Sequence, residues 1–233
     1  MTTKDDLAQR IDGALTQAWN VRDGRVVPTT ENVQLGGGAV ELAATMLYTD
    51  LADSTQLAMW DRRVTARLCK AFLGCATKLI QAEGGEVRSF DGDRVMGVFL
   101  GATKNTSATR CALKINWMFR HQLKPKFEAK YEAFRNGTYR LAQCTGIDTS
   151  EVFVVRTGVR DSNDLIWVGR APNVAAKLSA IRDTPYHTFI TDAVFSQMME
   201  PAKVTNGIAM WEERAWKAGP VPKVYRSSWE WQP

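Results

Sequence analysis

Short stretches of this chain hold the residue types that phosphate and metal chemistry use. In Tyr48-Thr49-Asp50-Leu51-Ala52-Asp53-Ser54-Thr55 an apolar run ends on a carboxylate, and a Ser/Thr pair follows at a helix start. Asp50 then sits at the mouth of a sheet, and the free backbone N–H groups of the next helix can hold a polyphosphate near Ser54 and Thr55. Asp53 and Ser54 serve equally well as an ordinary N-cap. In Phe90-Asp91-Gly92-Asp93-Arg94 the D-G pair marks a hairpin that presents Asp93. Alone it is only a turn. With Asp50 at the same sheet edge, it completes a pair of carboxylates suited to a divalent cation whose shell substrate phosphates fill. In Val168-Gly169-Arg170-Ala171-Pro172-Asn173-Val174-Ala175-Ala176-Lys177-Leu178, Asn173 and Lys177 are one helical turn apart and share a face. An ordinary helix start with a polar outer face has the same pattern.

The elements that must position these groups follow from periodicity. Leu42–Asp50 reads as a strand, and Thr55–Ala82 as one long helix with Leu57, Trp60, Val64, Leu68, Phe72, Cys75 and Leu79 on a stripe, stopped by Gly84-Gly85. Glu86–Phe90 and Asp93–Phe99 form the hairpin, and a second long helix runs from Thr106 to about Phe134. Strands are expected over Tyr139–Ile147, Glu151–Arg156, Leu165–Val168, His187–Ile190, Ile208–Glu213 and Lys223–Arg226, with helices over Pro172–Ile181 and Asp192–Met199. Before them, Leu7, Ile11, Leu15 and Trp19 mark an amphipathic helix expected to cap the core, with contact to a partner as the alternative, and Val21–Gly38 reads as a linker. The domain division is therefore 1–38, helix and linker, and 39–233, the main domain. Alternation of strands and helices around a central hairpin predicts an α+β fold, with an antiparallel or mixed sheet covered by helices.

Bulk properties narrow the function. The chain has 233 residues, 45% hydrophobic and 24% charged, enough for a real core in one domain. Its net charge of +5 is scattered rather than gathered into a basic, aromatic-rich stripe, which argues against a nucleic-acid module and leaves a mild field favourable to a polyanion. The four cysteines form no C-x-x-C pair and only two histidines exist, which argues against a zinc centre. Cys69, Cys75 and Cys111 lie among apolar helical residues and are expected to be buried thiols. No signal-peptide pattern opens the chain, and no uncharged run approaches the roughly 18 residues of a membrane span, so a cytoplasmic protein without a membrane partner is expected.

Taken in order, LYTDLADST, FDGDRVMGVF and WVGRAPNVAAKL resemble the class III nucleotidyl cyclase family, and TGIDTSEV resembles its strand–turn segment between the second and third motifs. The resemblance spans about Ala39 to Arg226. It implies a ferredoxin-like catalytic domain acting on a nucleoside triphosphate as a head-to-tail homodimer, each site shared between two copies. It implies that Asp50 and Asp93 hold two divalent metal ions, Mn²⁺ or Mg²⁺, and that Asn173 orients the ribose. Lys177 stands where the family usually has an arginine for the α-phosphate. Either Lys177 keeps that task or Arg170 takes it over. Lys217, in AWKAGPVPKVY, matches a phosphate-binding lysine, with Lys223 as a substitute.

The base-reading positions of the family fall on Ser89 and Ile166. Neither fits the adenine or the guanine pattern. Tyr48, where phenylalanine is usual, shares a strand face with Asp50 and either fills space beside a small base or is a core aromatic. The whole chain is most similar to the bacterial pyrimidine cyclases of the Pycsar antiphage system. That similarity implies conversion of UTP to 3′,5′-cyclic UMP, with CTP as the alternative, and a separate effector protein that reads the product. A purine cyclase with a relocated base-reading pair, and a non-catalytic nucleotide-binding regulator, are the further alternatives.

Overall fold

The computed structural model describes residues 2–217 and 219–233; Met1, in the expected N-terminal segment, and Ala218, in the AWKAGPVPKVY stretch, lie outside the described residues. In chain order the elements are α1 (Thr3–Leu15), β1 (Asn20–Asp23), β2 (Gly38–Leu51), α2 (Ser54–Trp60), α3 (Arg62–Ala82), β3 (Glu86–Asp91), β4 (Arg94–Phe99) and α4 (Lys104–Met118). After α4 come a π-helical turn (Phe119–Leu123), α5 (Lys124–Lys130), α6 (Glu132–Arg135), β5 (Gln143–Val159), β6 (Ser162–Gly169) and α7 (Arg170–Ser179). The chain ends with β7 (Thr188–Thr191), α8 (Asp192–Gln197), β8 (Val204–Thr205), β9 (Ile208–Ala209), β10 (Glu212–Ala215) and β11 (Lys223–Ser227).

Two compact units result, one of residues 1–42 with 151–169, the other of residues 43–150 with 170–233. The boundary of these units falls within β2 and β5. In the first unit, β1 pairs in parallel with the start of β2, Asn20 opposite Gly38, so the expected linker contains a strand. Val27 and Val33 of that segment are buried, which explains why it is ordered. The end of β5 pairs antiparallel with β6 from Val152–Gly169 to Val159–Ser162. Helix α1 has a capping box from Thr2 and Asp5, yet none of its residues is buried, and Leu7, Ile11 and Leu15 are exposed. The expected capping of the core by this stripe is not what the structure has. Trp19, past the helix end, instead packs edge-on against Phe153 at 5.5 Å.

The second unit is a mixed sheet in the order β10-β11-β7-β5-β2-β4-β3. β5 and β7 run parallel, while β2–β4, β3–β4, β7–β11 and β10–β11 are antiparallel. Alternation along the strands sends successive side chains to opposite faces. Ile190 joins Leu47, Val95 and Ile147 beneath Leu68, Phe72 and Ile80 of α3 and Leu113 and Ile115 of α4. Its neighbour Phe189 turns the other way and packs with Cys144 and Val224 under Val174 and Leu178 of α7. Gly146 is what lets α7 lie so close. A Cβ there would collide with the Ala175 carbonyl, Leu178 and the Ser179 amide.

Several expected elements are divided or joined. The long helix of Thr55–Ala82 breaks at Asp61, whose side chain accepts from the Arg63 and Val64 amides and starts α3 afresh. The second long helix widens into the π-turn after Met118 and ends in two short helices. The two strands expected on either side of Asp148 are one 17-residue strand, β5, while Ile208–Glu213 is divided between β9 and β10. All four cysteines are free thiols. Cys111 and Cys144 are buried, and burial raises both, Cys144 to about 12, but Cys75 is exposed, contrary to the expectation for it. Among the described residues, no helix is long and apolar enough to cross a membrane.

Candidate active site

β2 and β4 bring the two candidate metal aspartates to one edge of the sheet. Asp50 pairs in register with Arg94, and Asp93 precedes Arg94 in the two-residue loop that joins β3 to β4. The turn is one residue later than the D-G pair suggested: Asp91 pairs with Arg94, and Gly92 takes φ +62 at the first loop position. That left-handed conformation is open to glycine without strain. Asp50 is largely buried, with a side-chain exposure of 15%. Burial pushes its carboxyl above the usual range, the hydrogen bond from Arg182 pulls it back, and the charge of Asp93 pushes it up again. Two hard oxygen donors that feel one another fit a divalent cation of the Mg²⁺ or Mn²⁺ kind with phosphate oxygens completing its shell. Among the described residues, no group of three or more His, Cys, Asp or Glu competes with this pair as a metal cluster.

Beside the carboxylates runs a row of side chains across three strands. Tyr48 pairs with Met96, and Met96 pairs with Ser89. The Tyr48 hydroxyl donates to Met96 Sδ at 2.8 Å, and the Arg94 guanidinium lies 5.6 Å from the Tyr48 ring centre. Tyr48 is half-buried at this edge. Arg94 Nη2 is committed to Asp91 Oδ2 at 2.7 Å. Past β2, Asp53 takes a left-handed φ of +57 at the N-cap of α2 and makes no side-chain cap bond. Asp53 thus holds the N-cap position, one of the two readings for the pair, without the side-chain bond that usually accompanies it. Ser54 is half-buried and Thr55 exposed in the first turn of α2.

Asn173 and Lys177 lie on the exposed face of α7, while Ala171, Val174, Ala175 and Leu178 are buried beneath. Asn173 is about 9 Å along the helix axis from Ser179 at the far end. Ile166 sits on β6 opposite Val155, in the first unit, and is exposed. Lys217 is exposed, and among the described residues it forms no salt bridge. Lys223 is paired with Asp192 at 2.9 Å and Glu213 at 3.5 Å, and the first of these raises its pKa.

Arg170 is engaged at the base of α7. Its Nε and Nη2 donate to the two oxygens of Asp148 at 3.0 and 3.2 Å, and Nη2 also donates to the Thr149 carbonyl at 2.7 Å. The Asp148 side chain is fully buried and also accepts from the Thr191 hydroxyl. A fork tied to a buried carboxylate anchors the helix start. Arg170→Ala is expected to lower unfolding stability in urea by about 2 kcal/mol, below the usual cost of breaking a buried pair because Arg170 is partly solvated. An unchanged urea midpoint with lost turnover would return Arg170 to the phosphates.

Arg182 and Asp148 were not singled out from the sequence. Asp148 was hidden in the polar run Asp148-Thr149-Ser150, which reads as a break between two strands. Arg182 carried no signal beyond its place just after a helix, where a cation suits the terminal carbonyls.

No protein-family model matches the chain. It is 42% identical to a uridylate cyclase of Rhodovulum sp. (strain MB263) over 98% of this chain and 97% of the relative. It is 38% identical to a uridylate cyclase of Xanthomonas perforans over 100% and 99% of the two chains. Among solved structures, the adenylyl cyclase CyaB from P. aeruginosa superposes with a TM-score of 0.65 at 19% identity, over 81% of this chain and 95% of that one. The fold is that of the class III cyclase catalytic domain, and the chain belongs to the uridylate cyclase family of nucleotidyl cyclases.

Proposed function

We propose that this enzyme converts UTP to 3′,5′-cyclic UMP and pyrophosphate at sites shared between two copies of the chain. The observation that carries the reading is the full-length likeness to uridylate cyclases. The row Tyr48–Met96–Ser89 beside Asp50 supports it. The row sets a phenol and a thioether next to the carboxylates and offers no lysine or acid of the purine-reading kinds.

Asp50 and Asp93 hold the metal ions in this reading. Two bound divalent cations would lower the pKa of the ribose 3′-hydroxyl and neutralise the β- and γ-phosphates. Ser54, Thr55 and the first amides of α2 receive the polyphosphate. Asn173 of the second copy orients the ribose, so that the 3′-oxygen lies in line with the α-phosphorus and pyrophosphate leaves opposite. Lys177 meets the charge on the α-phosphate as a point cation, without the fork an arginine would bring. Arg170, tied to Asp148, holds the helix that presents both. Lys217 is better placed than Lys223 to take a terminal phosphate, because Lys223 is already paired. In this reading the product is a second messenger of antiphage defence, read by a separate effector protein, as the resemblance to the Pycsar pyrimidine cyclases implies.

Incubation with ATP, GTP, CTP and UTP in turn, with Mn²⁺ and product identification by mass, tests the substrate. UTP is expected to turn over at least about tenfold faster than CTP, a difference of about 1.4 kcal/mol that one well-placed hydrogen bond supplies. Preferential formation of cyclic CMP would move the reading to a cytidylate cyclase, and turnover of ATP alone would end it.

A further inference from the structure

Arg182 brings a positive charge into the carboxylate site from just beyond the end of α7. Its Nη2 donates to Asp50 Oδ2 at 2.8 Å and to the Leu51 carbonyl at 3.4 Å. Its Nη1 donates to the Ser179 and Ile181 carbonyls at 2.8 and 3.1 Å. Three of these four acceptors are backbone carbonyls. The guanidinium is therefore held in place by the turn after α7 as well as by the carboxylate, and it stays beside Asp50 when Asp50 takes another partner. Arg94, the other arginine at this edge, is committed to Asp91. Asp50 thus faces two cations, Arg182 at hydrogen-bond distance and Arg94 opposite it in register but paired with Asp91, and one anion, Asp93.

We propose that Arg182 is a fixed counter-charge that makes this site a poor receptor for a bare divalent cation and a good one for a cation carried on a nucleoside triphosphate. The proposal rests on Asp50 being a metal ligand. A dication and a fixed single charge some 6 Å apart repel by about tenfold in affinity even when water screens them fully. A dication bound to a triphosphate carries net negative charge, and the same guanidinium attracts it. Metal carried on the nucleotide is therefore favoured over free metal at these carboxylates. Arg182 acts here as a positioning residue for charge rather than as a catalytic one.

Mn²⁺ binding measured by electron paramagnetic resonance tests this without turnover. Mn²⁺ is titrated alone, and again with α,β-methylene-UTP, into the wild-type protein, Arg182→Gln, Arg182→Lys and Asp50→Asn. Arg182→Gln is expected to bind Mn²⁺ alone about tenfold tighter, and the gain in Mn²⁺ affinity on adding the nucleotide analogue is expected to shrink by a similar factor. Arg182→Lys keeps the charge and is expected to bind Mn²⁺ alone within about threefold of wild type. Unchanged or weaker binding of Mn²⁺ alone by Arg182→Gln overturns the proposal. So does an Arg182→Lys protein that behaves like Arg182→Gln, since the effect would then belong to the lost backbone contacts. If Arg182→Gln fails to fold by circular dichroism, Arg182→Lys decides alone, and tenfold tighter Mn²⁺ binding by it overturns the counter-charge. Asp50→Asn separates the two layers. Mn²⁺ binding lost in Asp50→Asn with Arg182→Gln unchanged removes the counter-charge alone. Mn²⁺ binding retained in Asp50→Asn removes the metal site and the counter-charge with it.

Discussion

Asp93→Ala is expected to reduce cyclisation of UTP by at least about 10³-fold while leaving the fold intact. The magnitude follows from what the residue is asked to do. Cation stabilisation of a developing phosphoryl charge is worth several kcal/mol, and about 4 kcal/mol is a thousandfold in rate. The side chain is free of structural duty by the same geometry. The turn is made by Gly92 at φ +62, and the pairing of Asp91 with Arg94 closes the hairpin without any bond from Asp93. Removing the carboxylate also relieves Asp50 of a like charge. The measurement is the initial rate of cyclic UMP formation at saturating UTP and Mn²⁺, alongside a thermal melt. A melt within a few degrees of wild type together with a wild-type rate would dismiss the carboxylate pair as a metal site. The acid side of the wild-type rate profile carries a second sign. Burial raises Asp50 above the ordinary carboxylate range, so cation binding should fail at a higher pH than an exposed aspartate would allow.

Where the chain was legible, the signal was local. The hairpin was visible in Asp91-Gly92, and the strand ending at Asp50 was visible because its apolar run stops on an acid. The start of α7 was visible in Pro172 and in the alternation of small and polar residues after it. What was not legible depended on partners far along the chain. The polar run Asp148-Thr149-Ser150 looked like a break between strands. In the structure it is the buried middle of β5, because Arg170, Thr191 and the Ala171 amide satisfy it. The stripe over Leu57–Leu79 continues across Asp61 without losing its period, so periodicity could not report that Asp61 caps a new helix. The apolar face of α1 was legible as a helix but not as an exposed one, since periodicity says which side is apolar and nothing about what meets it. Arg182 meets Asp50 across 132 positions of sequence, and no local pattern encodes that contact.

The largest expected gain of activity comes from mixing two inactive proteins. Asp93→Ala and Asn173→Ala, each expressed alone, are expected to be inactive, because every site in either homodimer lacks one partner. Co-expressed in equal amounts, they should recover about a quarter of the wild-type rate per chain, since half the dimers are mixed and each mixed two-fold dimer has one intact site of two. The disposition of α7 within one chain favours this outcome. Its far end is the part that approaches Asp50, through Arg182, whereas Asn173 lies at the opposite end with Lys177 on the exposed face. A ribose held against Asp50 and Asp93 is therefore better served by the Asn173 of a second copy than by that of the same copy. Were both halves of the site supplied by a single chain, mixing would restore nothing, because every chain in the mixture would carry a lesion of its own. Recovery near a quarter, rising with the fraction of mixed dimers as the ratio of the two chains approaches unity, can come only from a site divided between subunits.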